Sequence, residues 1–330
     1  MTQYSILELG RVRQGSDRRA ALDGARELAR HAEALGYTRF WIAEHHNMAS
    51  VTTSATSVVI AHVAAGTRTI RVGSGGIMLP NHAPYVIAEQ FGTLATLFPG
   101  RIDLGLGRAP GTDQLTLRAL RRSPADAEHF PEDVRELQAF LAPVRPGQRI
   151  EAVPGSGTEV PIWILGSSLY GAQVAAEFGL PYGFASHFAP QALDMALEVY
   201  RSRFKPSAQQ ATPHALVGVN IIAAPTDEEA RFLATSKQMA FADMFRGVRE
   251  PTRPPIEDID TYWTEQEKAQ AMQMLACSIT GGPETVRRGI DDLLARTSAD
   301  ELMIVCDTFD PALRLRSLEI IAEVVGLGRR

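Results

Sequence analysis

Short runs of strand-forming residues alternate with helix-period segments along the whole chain, and this alternation constrains the fold more than any other feature. The strand candidates are Ser5–Leu9, Phe40–Ala43, Ile70–Gly73, Arg101–Leu106, Val160–Leu165, Tyr182–Ala185, Ala215–Ala223 and Glu301–Cys306. Helical periodicity follows each of them. In Asp17–Leu35, Ala21, Leu22, Ala25, Leu28, Ala29 and Ala32 recur at helix spacing, and Gly36 supplies a terminator. Pro84 opens the helix that runs to Phe98, and Thr226 with Glu229 reads as a capping box. Strand-then-helix repetition implies a parallel sheet with right-handed crossovers. Eight such units predict an α/β fold, a closed (β/α)₈ TIM barrel, as one domain over residues 1–330. A doubly wound open sheet is the competing architecture.

Two stretches break the rhythm. Leu115–Phe130 is a long polar connection, and Phe245–Trp263, rich in proline and charge, is a loop inserted after the seventh strand. A loop of that length inside a compact domain is usually a lid or a mobile segment. A net charge of −5 without a long basic run gives no electrostatic track for nucleic acid or an anionic membrane. Cys277 and Cys306, the only cysteines, are too few for a disulfide framework or a four-cysteine zinc site. No long apolar span occurs, so the reading is a soluble cytoplasmic protein.

In a barrel the segments after the strands share one face, where active sites of this fold lie. Glu44, His45, Gly75, Gly76, Gly107, Arg108, Gly166, Ser167, Ser168 and His187 all fall there. Phe40-Trp41-Ile42 runs directly into Glu44-His45-His46, as a buried strand does where it meets a catalytic mouth; a hydrogen-bonded His pair in a turn would look the same. Gly75-Gly76 permits backbone angles or a close ligand approach that a side chain would block, or marks a tight turn. Arg108 offers a planar fork to a phosphate, or a surface ion pair. Gly166-Ser167-Ser168-Leu169-Tyr170 lies between strand and helix, where exposed N–H groups and hydroxyls suit an anion, or where serine simply caps. It has neither the Walker lysine nor G-x-G-x-x-G. No metal is expected: adjacent histidines on a strand point to opposite faces, and no H-x-H or H-E-x-x-H spacing occurs. No G-x-S-x-G elbow supports a serine nucleophile.

Four stretches together resemble the bacterial luciferase-like monooxygenase family. They are Ala43-Glu44-His45-His46, Gly73 through Pro80, Gly105-Leu106-Gly107-Arg108, and Ile164 through Ser168 followed by Ala175 through Pro181. The similarity is nearest to luciferase-like oxidoreductases of bacterial genomes, including members from specialised-metabolite pathways. It implies a (β/α)₈ barrel that uses reduced FMN, supplied by a separate flavin reductase, and O2. A flavin C4a-peroxide would then oxygenate a small organic substrate by hydroxylation, epoxidation or Baeyer–Villiger chemistry.

By the same resemblance, His45 matches the catalytic histidine beside the flavin, acting as acid or base with Glu44 positioning it. Gly75-Gly76 matches a non-prolyl cis peptide under the flavin ring, and Arg108 and Ser167 match phosphate contacts. His187 is placed on the substrate side. The family implies a homodimer. Luciferase itself has a cysteine where Gly107 stands, and a glutamate and a threonine where Gly166 and Tyr170 stand. Light emission is therefore in doubt, and the phosphate would lean on backbone N–H groups, Ser168 and Leu169 at the helix start. The alternatives are a deazaflavin F420-dependent oxidoreductase and a flavin-binding protein without catalysis.

Overall fold

The computed structural model describes residues 2–109 and 112–328. In chain order the first half runs β1 (Gln3–Glu8), α1 (Arg18–Leu35), β2 (Arg39–Ile42), α2 (Thr56–Gly66), β3 (Arg71–Met78), α3 (Pro84–Leu97), β4 (Ile102–Gly107), α4 (Gln114–Ala119), α5 (Phe130–Leu141), β5 (Ile162–Gly166) and α6 (Leu169–Phe178). The second half runs β6 (Tyr182–Phe184), α7 (Leu193–Arg203), β7 (Ala215–Ala223), α8 (Asp227–Phe245), α9 (Glu265–Met274), β8 (Ile279–Gly281), α10 (Pro283–Thr297), β9 (Glu301–Val305) and α11 (Pro311–Val325).

All the described pairings between these strands are parallel, in the order β6-β5-β4-β3-β2-β1-β9-β7, and a β6–β7 pairing closes the ring. The closed parallel barrel is therefore present, with helices around it. β8 is an addition to the eight predicted strands. It pairs only with the end of β7, Ile221 to Ala223, after the barrel segment Leu216–Asn220 has paired with β9. Three residues between a polar helix and a Gly-Gly-Pro turn were too short to register as a strand. The polar connection Leu115–Phe130 also holds more structure than expected: α4, capped by Asp113, and a 3₁₀ turn over Pro124–His129.

Local signals explain the helix ends. The Asp17 side chain accepts from Ala20 N–H at 2.8 Å to start α1, and Gly36 ends it at φ +88°. At α8, Thr226 accepts from Glu229 N–H at 3.2 Å.

Alternation along each strand divides the interior in two. Ile6, Phe40, Ile42, Val72, Leu104, Ile162, Ile164, Val217 and Ile304 face out into the helix layer and form the main core. Leu7, Trp41, Ala43, Trp163, Leu216, Met303 and Val305 face the barrel axis as a separate cluster, with Trp41 edge-on to Trp163 at 5.1 Å. Both faces of each strand are buried, which is why the strands read as continuous apolar runs. Below the tryptophans the barrel is plugged by charge. Arg39 bonds Asp103 at 2.8 Å and Glu301 at 3.0 Å. The segments that follow the strands lie at the opposite, C-terminal end of the barrel.

Candidate active site

Glu44, His45 and His46 follow β2 while the chain is still held to β1 by Ala43 N–H donating to Glu8 C=O at 3.0 Å. Glu44 is fully buried. Its Oε1 lies 2.8 Å from His46 Nε2 and 2.9 Å from His82 Nε2, and its Oε2 accepts from Met78 N–H at 3.2 Å. Burial alone would push this carboxyl up, but the hydrogen bonds from His46 and His82 hold it below the usual carboxylate range. Glu44 therefore does not orient His45, as the sequence suggested. Alternating residues face opposite ways, so Glu44 and His46 share one side and His45 takes the other.

The sequence also gave no sign of His82, which arrives from the turn after β3. The ligand atoms of Glu44, His46 and His82 lie within 4.8 Å of one another, a grouping that spacing along the chain could not reveal. In this arrangement the carboxylate's acceptor positions are filled by two imidazoles and a backbone N–H, so the cluster serves as a clamp between β2 and β3.

Gly75 and Gly76 lie inside β3 rather than after a strand, as the sequence suggested. Their peptide is cis, and the pairing with β4 shifts register between Ser74 and Ile77. A Cβ on Gly75 would sit 2.6 Å from Leu7 Cδ1, and one on Gly76 would sit 2.7 Å from the Gly105 carbonyl oxygen. Backbone packing thus excludes a larger residue at Gly76, whereas at Gly75 the side chains of Leu7 and Trp41 would have to give way. Gly107 ends β4 between Met78 and Leu165. The Arg108 guanidinium then lies 4.2 Å above the Tyr170 ring, joining the ends of β4 and β5. Pro110 and Gly111 of the following loop are outside the described residues.

Gly166 ends β5, and Ser168 takes the capping position of α6 with extended backbone but no side-chain cap bond. Ser168 instead offers its carbonyl to the Tyr182 hydroxyl at 3.2 Å. The first N–H groups of α6 therefore have no serine cap, while Ser167, Ser168, Leu169 and Tyr170 surround them.

His187 follows β6 and sits over Gly218, where a Cβ would come within 2.5 Å of its Nδ1. The Nδ1 atoms of both His45 and His187 are buried without a hydrogen-bond partner among the described residues. Burial, then Arg11 and His46, push His45 down to about 4, while the Glu44 carboxylate opposes the shift. Burial, then Lys237 and His45, push His187 down to about 3. Both rings are neutral at neutral pH, and β2 and β6 are opposite each other in the ring.

A further charged set, also unforeseen, occupies the ends of β7, β9 and β1. Arg11 Nε lies 2.5 Å from Asp307 Oδ2, Lys237 Nζ lies 3.9 Å from the same oxygen, and Arg314 Nη1 lies 2.8 Å from Glu8 Oε2. The segment 246–263 crosses this face. Its Arg249 Nη1 donates to Asn47 C=O at 3.0 Å and to Asp113 Oδ2 at 3.1 Å. Thr252 exchanges backbone bonds with Val12 and Gln14 at 2.9 and 2.8 Å, and Ile256 N–H donates to Thr235 Oγ1 at 2.9 Å.

Residues 2–301 match the family described as luciferase-like monooxygenase. A relative named luciferase-like monooxygenase, from Escherichia coli (strain K12), is 50% identical over 97% of this chain and 96% of its own length. An N-acetyl-S-alkylcysteine monooxygenase from Bacillus subtilis (strain 168) is 36% identical over 72% of each chain. The crystal structure of apo-MsnO8 superposes with a TM-score of 0.89 at 32% identity, covering 100% of both chains.

Proposed function

This chain belongs to the luciferase-like monooxygenase family, and on that premise we propose that it is a two-component monooxygenase that takes reduced FMN from a separate reductase and oxygenates a small organic molecule. One observation carries the cofactor assignment. The consecutive strands β2 to β5 bring the neutral His45, the Gly75-Gly76 shelf, the Arg108–Tyr170 stack and the uncapped start of α6 to one half of the barrel mouth.

The residues present fit a flavin mononucleotide. Arg108, the hydroxyls of Ser167 and Ser168, and the N–H groups of Leu169 and Tyr170 would hold its phosphate, with the α6 dipole adding to the attraction. The half-buried Gly75 of β3 would offer bare backbone to a flat ring while Gly76 packs against Gly105, and Gly107 and Gly166 add no side chain on the way to the phosphate. When bound, reduced flavin supplies the electron pair that activates O2, so that one oxygen atom enters the substrate and the other leaves as water.

The chain's own residues then have distinct tasks. His45, neutral at working pH with an unpartnered Nδ1, accepts or returns the proton that accompanies oxygen transfer. His187, opposite it, lines the substrate side. Glu44 holds His46, His82 and the backbone of Met78, and so positions the β2–β3 edge on which His45 and the shelf are mounted. The segment 246–263 acts as the lid that keeps bulk water out and suppresses loss of reducing power as H2O2.

The test is a flavin titration followed by aerobic turnover with a reductase present. His45→Ala is expected to lose at least ~100-fold in kcat while its FMN affinity stays within about 3-fold. Ser167→Ala and Arg108→Ala are each expected to weaken FMN binding about 10-fold, or ~1.4 kcal/mol. Full oxygenation by His45→Ala would refute the catalytic role. Tight binding of F420 with none of FMN would replace the cofactor.

A further inference from the structure

The order of strands around the ring divides the mouth into two halves. β4 stands opposite β9, and β5 stands opposite β1. The phosphate cradle of the proposed function lies after β4 and β5, so the set after β7, β9 and β1 faces it across the barrel. That set holds Lys237, Arg11, Arg13 and Arg314 against two buried carboxylates, Glu8 and Asp307. Asp310 is exposed and caps α11.

The cations are unequally satisfied. Arg314 is bound to Glu8 and, at 2.5 Å, to the Cys306 carbonyl. Arg13 reaches the Thr308 carbonyl at 3.5 Å. Arg11 uses Nε on Asp307, and neither of its Nη groups has a hydrogen bond to a described residue. Lys237 is 6% exposed and has no hydrogen-bond acceptor among the described residues; Asp307, at 3.9 Å, is already engaged by Arg11. Burial, with Arg11 and Arg314 nearby, pushes Lys237 down to about 8 even though Asp307 opposes the shift. A buried ammonium whose nearest carboxylate lies beyond hydrogen-bond reach is costly, and such a group beside a reaction site is characteristically one that awaits a ligand. The hydroxyl of neighbouring Ser236 is also buried and unpartnered.

We infer that Lys237 and Arg11 form the receptor for an anionic group, a carboxylate or sulfonate, carried by the organic substrate. The inference rests on the monooxygenase reading for the word substrate, but the receptor itself does not require flavin. Held there, the anion would neutralise the excess cations. The rest of the molecule would extend towards the axis, placing its reacting atom between His45 and His187 and over the proposed flavin shelf. A neutral analogue would leave Lys237 with only its 3.9 Å ion pair to Asp307 and would bind weakly.

Isothermal titration of the full chain with hexanoate, hexane-1-sulfonate and hexan-1-ol, with and without FMN, tests this directly. Both anions are expected to bind the wild type at least ~10-fold more tightly than the alcohol. Lys237→Met should abolish that preference, and Lys237→Arg should keep it. Arg108→Ala should weaken FMN but leave the preference intact, because it lies on the far side of the mouth. The inference is overturned if the wild type shows no preference, if the preference survives Lys237→Met, or if it vanishes in Arg108→Ala, which would put the anions in the phosphate cradle. Should Lys237→Met fail to fold, the wild-type comparison and the Arg108→Ala arm still decide. Failure to bind FMN would refute the proposed function, whereas the anion preference of flavin-free protein tests the receptor alone.

Discussion

His45 and His187 are two imidazoles that the fold keeps uncharged, and that has a thermodynamic consequence. In the unfolded chain each takes up a proton near the ordinary value of about 6.5. In the folded chain they do so only near about 4 and about 3. Below pH ~6.5 the unfolded state therefore binds protons that the folded state refuses, and stability falls as pH drops towards 4. The urea midpoint is expected to fall between pH 7 and pH 5, and His187→Asn should flatten that slope. A midpoint independent of pH over this interval would contradict the buried, neutral state of the rings. The placement of His45 after β2 was legible because a polar triplet follows a strand directly. The partners of Glu44 were not, because His82 joins them only through the folding of the chain, and nothing in the sequence around Lys237 marked it as buried.

Elements were legible where period and punctuation agreed. Asp17 and Gly36 bracket α1 in the sequence as they do in space. β3 was read as ending at Gly73 because glycine is a poor strand former, yet neighbouring strands extend it through Gly76 to Met78. Tertiary pairing overrode local preference along this stretch. The segment 246–263 was recognised by composition, but its attachments were not. Arg249 ties it to Asn47 and Asp113, and its side chain is 46% exposed. An ion pair so accessible contributes less than about 1 kcal/mol. Arg249→Ala should therefore leave the denaturation midpoint nearly unchanged while raising the H2O2 released per substrate oxygenated severalfold. Unchanged coupling would mean that this contact does not hold the mouth closed.

At the scale of the whole molecule, the two ends of the barrel divide the work. The closed end rests on Arg39, which lies between the fully buried Asp103 and Glu301 while Arg71 also engages Asp103 at 2.5 Å. Trp41 Nε1 donates to Asp103 at 3.2 Å, and Ser5 Oγ donates to Glu301. Arg39→Met would leave two carboxylates short of a cation in the interior. Chemical denaturation is expected to show a loss of about 3–5 kcal/mol. The folded fraction should still bind FMN within about 2-fold of wild type, since the tryptophan layer separates this plug from the mouth. A large loss of flavin affinity without a loss of stability would show the two ends to be coupled.

Because closure of the ring sets β4 against β9 and β5 against β1, the proposed flavin and substrate sites would fall to loops that are far apart in sequence and never need to change together. Exchange of the stretches after β7, β9 and β1 between homologous barrels would redirect such a protein to new molecules while its redox equipment stayed as inherited. The same circular order that closes the barrel thus lets selectivity diversify without rebuilding the chemistry.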